Sequence, residues 1–383
     1  MKSSPEKYGI ENDNGEYTSS VLNDRIFGYD METEDIKAML KDMDIHHKFC
    51  DSLADFLKEC GYTQTTDIKQ MKRVICDAYS SLNEENTVSE KTVGRWLIGE
   101  NRPNYTAKSR EYMFMLMFAL KASLLQTVRF FLKAYYAQPF NFRNRNECIY
   151  YWCLKNHCSW QEVQEMKKAV AEKELEYSVQ SFDGQTILIG KALDELDTVE
   201  EAVTYIAYNI LPEETYFRTA RQLFKDLIAE AKELAETASV NTDIQADKKD
   251  SLGYRRQKNS VDFLLSVIFG TKEKIKPDKQ WNFLIKENFP GKEQFSRCFN
   301  GDVSNADLLR KNLILLMFFI AYTDNPQTEF DDFFSNVNYQ LEECGFPLLY
   351  PANPYDRIFL VCAFNGTAET TPLEYFREIF WTD

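Results

Sequence analysis

Three histidines, nine cysteines and sixty carboxylates are the groups in this 383-residue chain that could move protons, attack an electrophile or hold a metal. The densest set is Cys148, Cys153, His157 and Cys158. Cys153 and His157 are four apart, so a helix would place them on one face, as metal ligands can be. The spacing matches no standard zinc finger, and buried structural thiols account for the same pattern. A Cys–His nucleophile pair needs its two groups to converge from separate elements, and these would share one. No GxxxxGK[ST] or GxGxxG phosphate loop occurs, nor a GxSxG elbow or HExxH. Acid pairs such as Asp331-Asp332 and Glu342-Glu343 fall on amphipathic helices and read as solvated faces. The expectation is a protein that is not an enzyme and has no metal and no cofactor.

Charge is more informative than catalysis. The chain carries 45 Lys+Arg against 60 Asp+Glu, a formal net charge of −15. Yet Lys91, Arg95, Arg102, Lys108, Arg110, Lys121, Arg129, Lys133, Arg143 and Arg145 follow one another with only Glu100 and Glu111 among them. A basic island in an acidic chain is what phosphate binding requires. It would equally serve as a docking surface for the chain's own acidic half. Aromatic residues run through and just past the island, at Phe130-Phe131, Tyr135-Tyr136 and Tyr150-Tyr151-Trp152. They read as the core of a helical domain rather than as a stacking platform for unpaired bases.

The elements that would position these residues are helices. Fourteen Gly and eleven Pro are few for a chain of this length, and strand-rich folds need many tight turns. Apolar residues recur at three- and four-residue steps from about residue 35 to 170 and again from Val261 to the end. Ser159/Glu162, Thr198/Glu201 and Thr371/Glu374 have capping-box spacing, the last with Pro372 at the first turn. Ser178–Ile189 is the one stretch that reads as strand or irregular. The fold class expected is all-α, a multi-helix bundle of two related helix-turn-helix-like halves joined by a helical middle region. Residues 1–30 form a mobile tail, 31–175 an N-terminal helical domain, 176–240 the middle region, 241–260 a linker, and 261–383 a C-terminal helical domain. No apolar run reaches the length of a membrane span, and the polar N-terminus has no signal core. With irregularly spaced cysteines, this suggests a cytoplasmic protein with reduced thiols and no membrane partner.

The two halves are suggested by self-similarity. Arg95-Trp-Leu-Ile-Gly99-Glu matches Arg297-Cys-Phe-Asn-Gly301-Asp at an offset of 202. Each is followed by an arginine, Arg110 and Arg310, on an apolar helix. Asn144-Arg-Asn-Glu147-Cys-Ile149 then matches Asn353-Pro-Tyr-Asp356-Arg-Ile358 at an offset of 209. The order is kept and the offset changes only between helices, the signature of a domain duplication. The second copy, near 280–380, has lost the basic excess: between residues 282 and 357, eleven acids oppose six bases.

Within the first copy, Ser89 reads as an N-cap, Glu90–Leu97 as a short helix, Gly99 as its stop, and Ser109–Ala119 as a buried helix. The pattern Ser-x-x-Thr-Val-x-x-Trp-Leu-x-Gly-x-x-x-Pro, from Ser89 to Pro103, resembles the recognition helix and following turn of Cro/repressor-type (Xre-like) helix-turn-helix proteins of Gram-positive bacteria. The likeness covers roughly residues 66–165 and extends to the segment Asn144, Glu147 and Ile149. It implies a DNA-binding transcriptional regulator that takes double-stranded DNA. Ser89, Lys91, Thr92, Arg95, Arg102 and Lys108 would then contact nucleic acid, Arg95 nearest the bases, Lys91 and Arg102 on phosphates. The acidic C-terminal half would serve dimerisation, sensing or a protein partner. The preceding helix, Ile68 to about Leu82, is joined by Asn83–Thr87, longer and more acidic than the usual three- to four-residue turn. That connection supports the alternative of a non-enzymatic helical adaptor or inhibitor whose helix-turn-helix-like units bind another protein.

Overall fold

A computed structural model describes residues 47–63, 67–85, 87–174, 186–241, 260–270, 281–367 and 369–380. Every regular element among them is helical. The described residues gather into two compact units. The first comprises residues 47–216 with Gly345–Pro347, the second residues 217–344 and 348–380. The boundary therefore falls inside the region expected as a separate middle segment. The tail expected over 1–30 and nearly all of the linker expected over 241–260 lie outside the described residues.

The first unit runs α1 (Phe49–Glu59), α2 (Ile68–Ser81), α3 (Glu90–Leu97), α4 (Ala107–Ala119), α5 (Leu124–Phe130), a π-helical turn (Phe131–Tyr135), α6 (Arg145–Lys155), α7 (Trp160–Glu174), α8 (Thr186–Asp194) and α9 (Val199–Asn209). Part of the stretch read as strand or irregular is thus helix: Thr186–Ile189 opens α8. A run such as Thr-Ile-Leu-Ile is β-branched and apolar, and over so few residues periodicity does not separate a strand from a buried helix face. The N-caps follow the side-chain chemistry. Ser89 Oγ accepts the Thr92 N–H at 3.2 Å, and Thr198 with Glu201 closes a reciprocal capping box on α9.

Helices α4 and α6 are apolar nearly all round and form the centre of this unit. The aromatic residues of the basic stretch are packed there: Phe131, Tyr135, Tyr150, Tyr151 and Trp152 are all buried. Helix α3 is anchored on its other face by Val93, Trp96 and Leu97, with Trp96 edge-on to Phe49 of α1 at 5.9 Å. At its end Gly99 takes φ +72°. Its N–H bonds Trp96 O at 3.2 Å and the Glu100 N–H bonds Arg95 O at 3.0 Å. This is a Schellman stop, which needs a left-handed residue at the glycine.

The second unit contains most of α10 (Glu213–Asn241), then α11 (Val261–Phe269), α12 (Phe283–Asn288), α13 (Lys292–Phe299), α14 (Ala306–Asp324), α15 (Phe330–Glu343), α16 (Asp356–Asn365) and α17 (Pro372–Glu378). Thr371, Pro372 and Glu374 form the capped start of α17 as the sequence indicates. Helices α14 and α16 are the buried pair at the centre. Phe269 gathers Phe289, Phe295, Phe376 and Phe380 around it, with centroids between 4.9 and 6.1 Å. Tyr350 and Tyr355, in the turn-rich stretch before α16, are buried rather than presented outward.

One construction occurs in each unit. In the first, Arg110 on α4 donates from Nε and Nη2 to the two oxygens of Glu147 on α6, at 2.6 and 2.7 Å. Glu147 also accepts the Asn141 N–H at 2.7 Å, and Arg110 reaches Pro139 O at 3.0 Å. In the second, Arg310 on α14 grips both oxygens of Asp356 on α16 at 2.8 and 2.7 Å. Asp356 accepts the Tyr350 N–H at 2.9 Å, and Arg310 reaches Leu348 O at 3.0 Å. In each case the backbone donor stands six residues before the acid, the carbonyl eight before it, and three before it an asparagine whose side-chain oxygen accepts the acid's own N–H. Burial alone would lower the Arg310 guanidinium, but Asp356 holds it above its ordinary value.

Candidate nucleic-acid interface

The outward faces of α2 and α3 enclose a shallow groove of about 760 Å³. Ile68, Lys69 and Lys72 line it from α2, and Lys91, Gly94, Arg95, Ile98 and Glu100 from α3 and its stop. Four cations therefore converge from two helices. Lys72 is bridged to Glu90 at 2.8 Å, which holds the Glu90 carboxyl below its usual range. Arg95 Nε donates to Glu100 Oε2 at 3.1 Å. Lys69 and Lys91 form no ion pair with the described residues.

The residues expected to touch DNA are distributed unevenly about this groove. Lys91 and Arg95 line it together, both exposed. Ser89 and Thr92 stand at the N-terminus of α3, their hydroxyls 2.9 Å apart. Lys108, on the first turn of α4, is exposed outside the groove lining, its ammonium 5.7 Å from the Tyr112 ring centre.

Arg102 is placed differently from the phosphate contact expected of it. Its guanidinium packs among the rings of Phe49, Tyr105 and Tyr136 at 5.9, 5.4 and 5.4 Å. Nη2 donates to Ala134 O at 3.3 Å and Tyr135 O at 2.9 Å. These are the last carbonyls of the π-helical turn, which ends where Tyr136 enters the left-handed region at φ +56°. A helix end leaves carbonyls without internal partners, and Arg102 supplies donors for two of them. Arg102→Ala should accordingly lower stability by about 2–4 kcal/mol in a urea titration while leaving any dependence of DNA binding on salt unchanged. A reduced salt slope with unchanged stability would place Arg102 on phosphate instead.

Three more members of the basic island also face inward. Arg110 is bound to Glu147, Arg143 is buried, and Arg145 caps the C-terminal end of α9 through Ile210 O at 2.7 Å and Ala207 O at 3.2 Å. The charge counted along the sequence therefore overstates the charge at the surface. Conversely, Lys69 and Lys72 lie upstream of the island, and only the packing of α2 against α3 brings them into the site.

Of the thiol cluster, Cys148 and Cys153 are buried, Cys158 is half-buried and His157 is exposed. Cys148 Sγ donates to Phe142 O at 3.3 Å and Cys153 lies 3.8 Å from the Met166 sulfur. Among the described residues no three His, Cys, Asp or Glu side chains gather as a metal site. Burial raises every one of the nine thiols, Cys60 to about 11. None is an activated thiolate at neutral pH. Among the described residues no helix is long and apolar enough to cross a membrane.

Comparison with known protein families, curated proteins and solved structures returns no match.

Proposed function

We propose that the α2–α3 groove binds double-stranded nucleic acid and that the protein is a DNA-binding regulator of the Xre-like type. The observation that carries this reading is the convergence of Lys69, Lys72, Lys91 and Arg95 on one open face. Two of these are residues that the Xre-like resemblance assigns to DNA. A polyanion is the ligand that such a face attracts most strongly, through release of its condensed counterions.

The second unit supports a division of labour. Its α13 has the length and stop of α3, and Gly301 is left-handed as Gly99 is. Arg297 bonds Asp302 at 2.6 Å across that stop, as Arg95 bonds Glu100. The offset of 202 also pairs Lys91 with Glu293, which is exposed. The interhelical ion pair has the opposite polarity: Lys72 on α2 meets Glu90 on α3, whereas Asp262 on α11 meets Lys292 on α13 at 3.3 Å. A diverged copy with an acid at the Lys91 position suits dimerisation or a protein partner better than phosphate.

The test is binding of the full chain to labelled duplex DNA across a salt series. Four engaged cations would give a slope of at most about −3.6 in log K against log salt, taking about −0.9 per phosphate. Affinity independent of salt, or no binding at low salt, overturns the reading.

One feature favours a second reading. Ile68 and Ile98, 45% and 53% exposed, stand in the same groove as the cations. Apolar residues rimmed by cations also fit an acidic amphipathic helix of a protein partner. Ile68→Ser with Ile98→Ser separates the two, since it would weaken a helix ligand and spare phosphate contacts.

A further inference from the structure

Among the described residues Glu100 is the one carboxylate lining the groove, and it sits on Arg95. Its position is a consequence of the helix stop. The Schellman bond from the Glu100 N–H to Arg95 O brings residues 95 and 100 side by side. That motif is made by backbone groups and by the left-handed glycine, so it sets where residue 100 stands but not what side chain it carries. An acid at this point is therefore separable from the fold.

We infer that Glu100 limits the affinity of the groove, holding Arg95 in part-neutralised form and opposing the approach of phosphate to it. The inference rests on the reading of this face as a nucleic-acid site. Glu100 takes only the Nε–H of Arg95. The terminal nitrogens of that guanidinium form no hydrogen bond with the described residues, so Arg95 can meet a phosphate without leaving Glu100. Two anions would then share one cation, and the carboxylate lowers what the contact contributes. Lys91 and Lys69 carry no such companion. Glu100 thus keeps the groove from holding any duplex firmly through charge alone, which leaves room for base contacts to decide where it stays.

The experiment compares the full-length wild type, Glu100→Gln and, as a control, Asp302→Asn, which removes the corresponding acid from the second unit. Each is titrated with a labelled mixed-sequence duplex of about 20 base pairs from roughly 50 to 200 mM salt, and each is melted thermally. Glu100→Gln should melt as the wild type does. It should bind about three- to tenfold more tightly at the low-salt end and steepen the slope by up to about 0.9, one further phosphate fully engaged. Asp302→Asn should change neither. Binding by Glu100→Gln that equals or falls below the wild type overturns the inference, the weaker result marking Glu100 as a buttress that Arg95 needs. If no protein binds duplex at low salt, the reading of the groove itself fails and the inference falls with it. If only Glu100→Gln binds, both stand.

Discussion

Replacing Glu147 with alanine is expected to destabilise the first unit by about 3–5 kcal/mol, and replacing Asp356 with alanine to do the same in the second. Both acids are buried and each faces a buried arginine through two short bonds. Removing the acid leaves a guanidinium without its counter-charge in an apolar interior. It also strands a backbone donor, Asn141 N–H in one case and Tyr350 N–H in the other. A buried ion pair adds little over a well-packed apolar pair, since desolvation offsets much of the attraction. The loss on removing one partner is large for another reason: the remaining charge has nowhere to go. Glu147→Leu with Arg110→Met should therefore recover much of what Glu147→Ala loses. A urea titration of the four proteins checks this. Equal stability of Glu147→Ala and wild type would show that Arg110 escapes to water, and the pair would not then be what joins α4 to α6.

These pairs bear on how far the sequence could be read. Alignment of the chain with itself brings Arg110 onto Arg310 and Glu147 onto Asp356, although nothing in the sequence says that each arginine reaches its acid. The spacing of caps and stops was readable because it is local. Ser89, Thr198, Thr371 and Gly99 act within three or four residues of themselves, and the helices begin and end there. Charge was harder to read because its meaning is not local. Arg102, Arg110 and Arg145 look like surface cations in a one-dimensional count. In the fold they saturate carbonyls and a buried carboxylate. A guanidinium has five donors in a fixed fork, which suits it to such interior work as well as to phosphate. Lysine is less suited to it, and the lysines of the island, Lys91, Lys108, Lys121 and Lys133, are all exposed. The missed members of the site, Lys69 and Lys72, are not signalled by the helical phase of α2. Lys72 shares one stripe with Ile68, Ile75 and Tyr79, the last two buried, and only the packing of α2 beside α3 brings its ammonium to the groove.

The largest effect on function is expected from Lys91→Glu combined with Arg95→Glu. Both side chains project into solvent from a helix held by Val93, Trp96 and Leu97 on its other side, so the helix should remain in place. Reversal replaces two attractive contacts by two repulsive ones on a face whose remaining cations are Lys69 and Lys72, the latter already tied to Glu90. Binding of duplex DNA should fall by about 100-fold or more at low salt. Reversal also sets a second carboxylate beside Glu100, and the neutral pair Lys91→Gln with Arg95→Gln avoids that. In the neutral pair the salt slope should become shallower by about 0.9 to 1.8, about 0.9 for Lys91 and up to as much again for Arg95, whose contact Glu100 weakens, with the thermal midpoint unchanged. This is the sharper measurement, because a slope counts contacts whereas an affinity only sums them. A neutral pair that binds DNA with the wild-type slope would mean that Lys91 and Arg95 touch no phosphate. The groove would then have to be read through Ile68 and Ile98, as a seat for the apolar face of a partner helix whose acids meet the surrounding lysines.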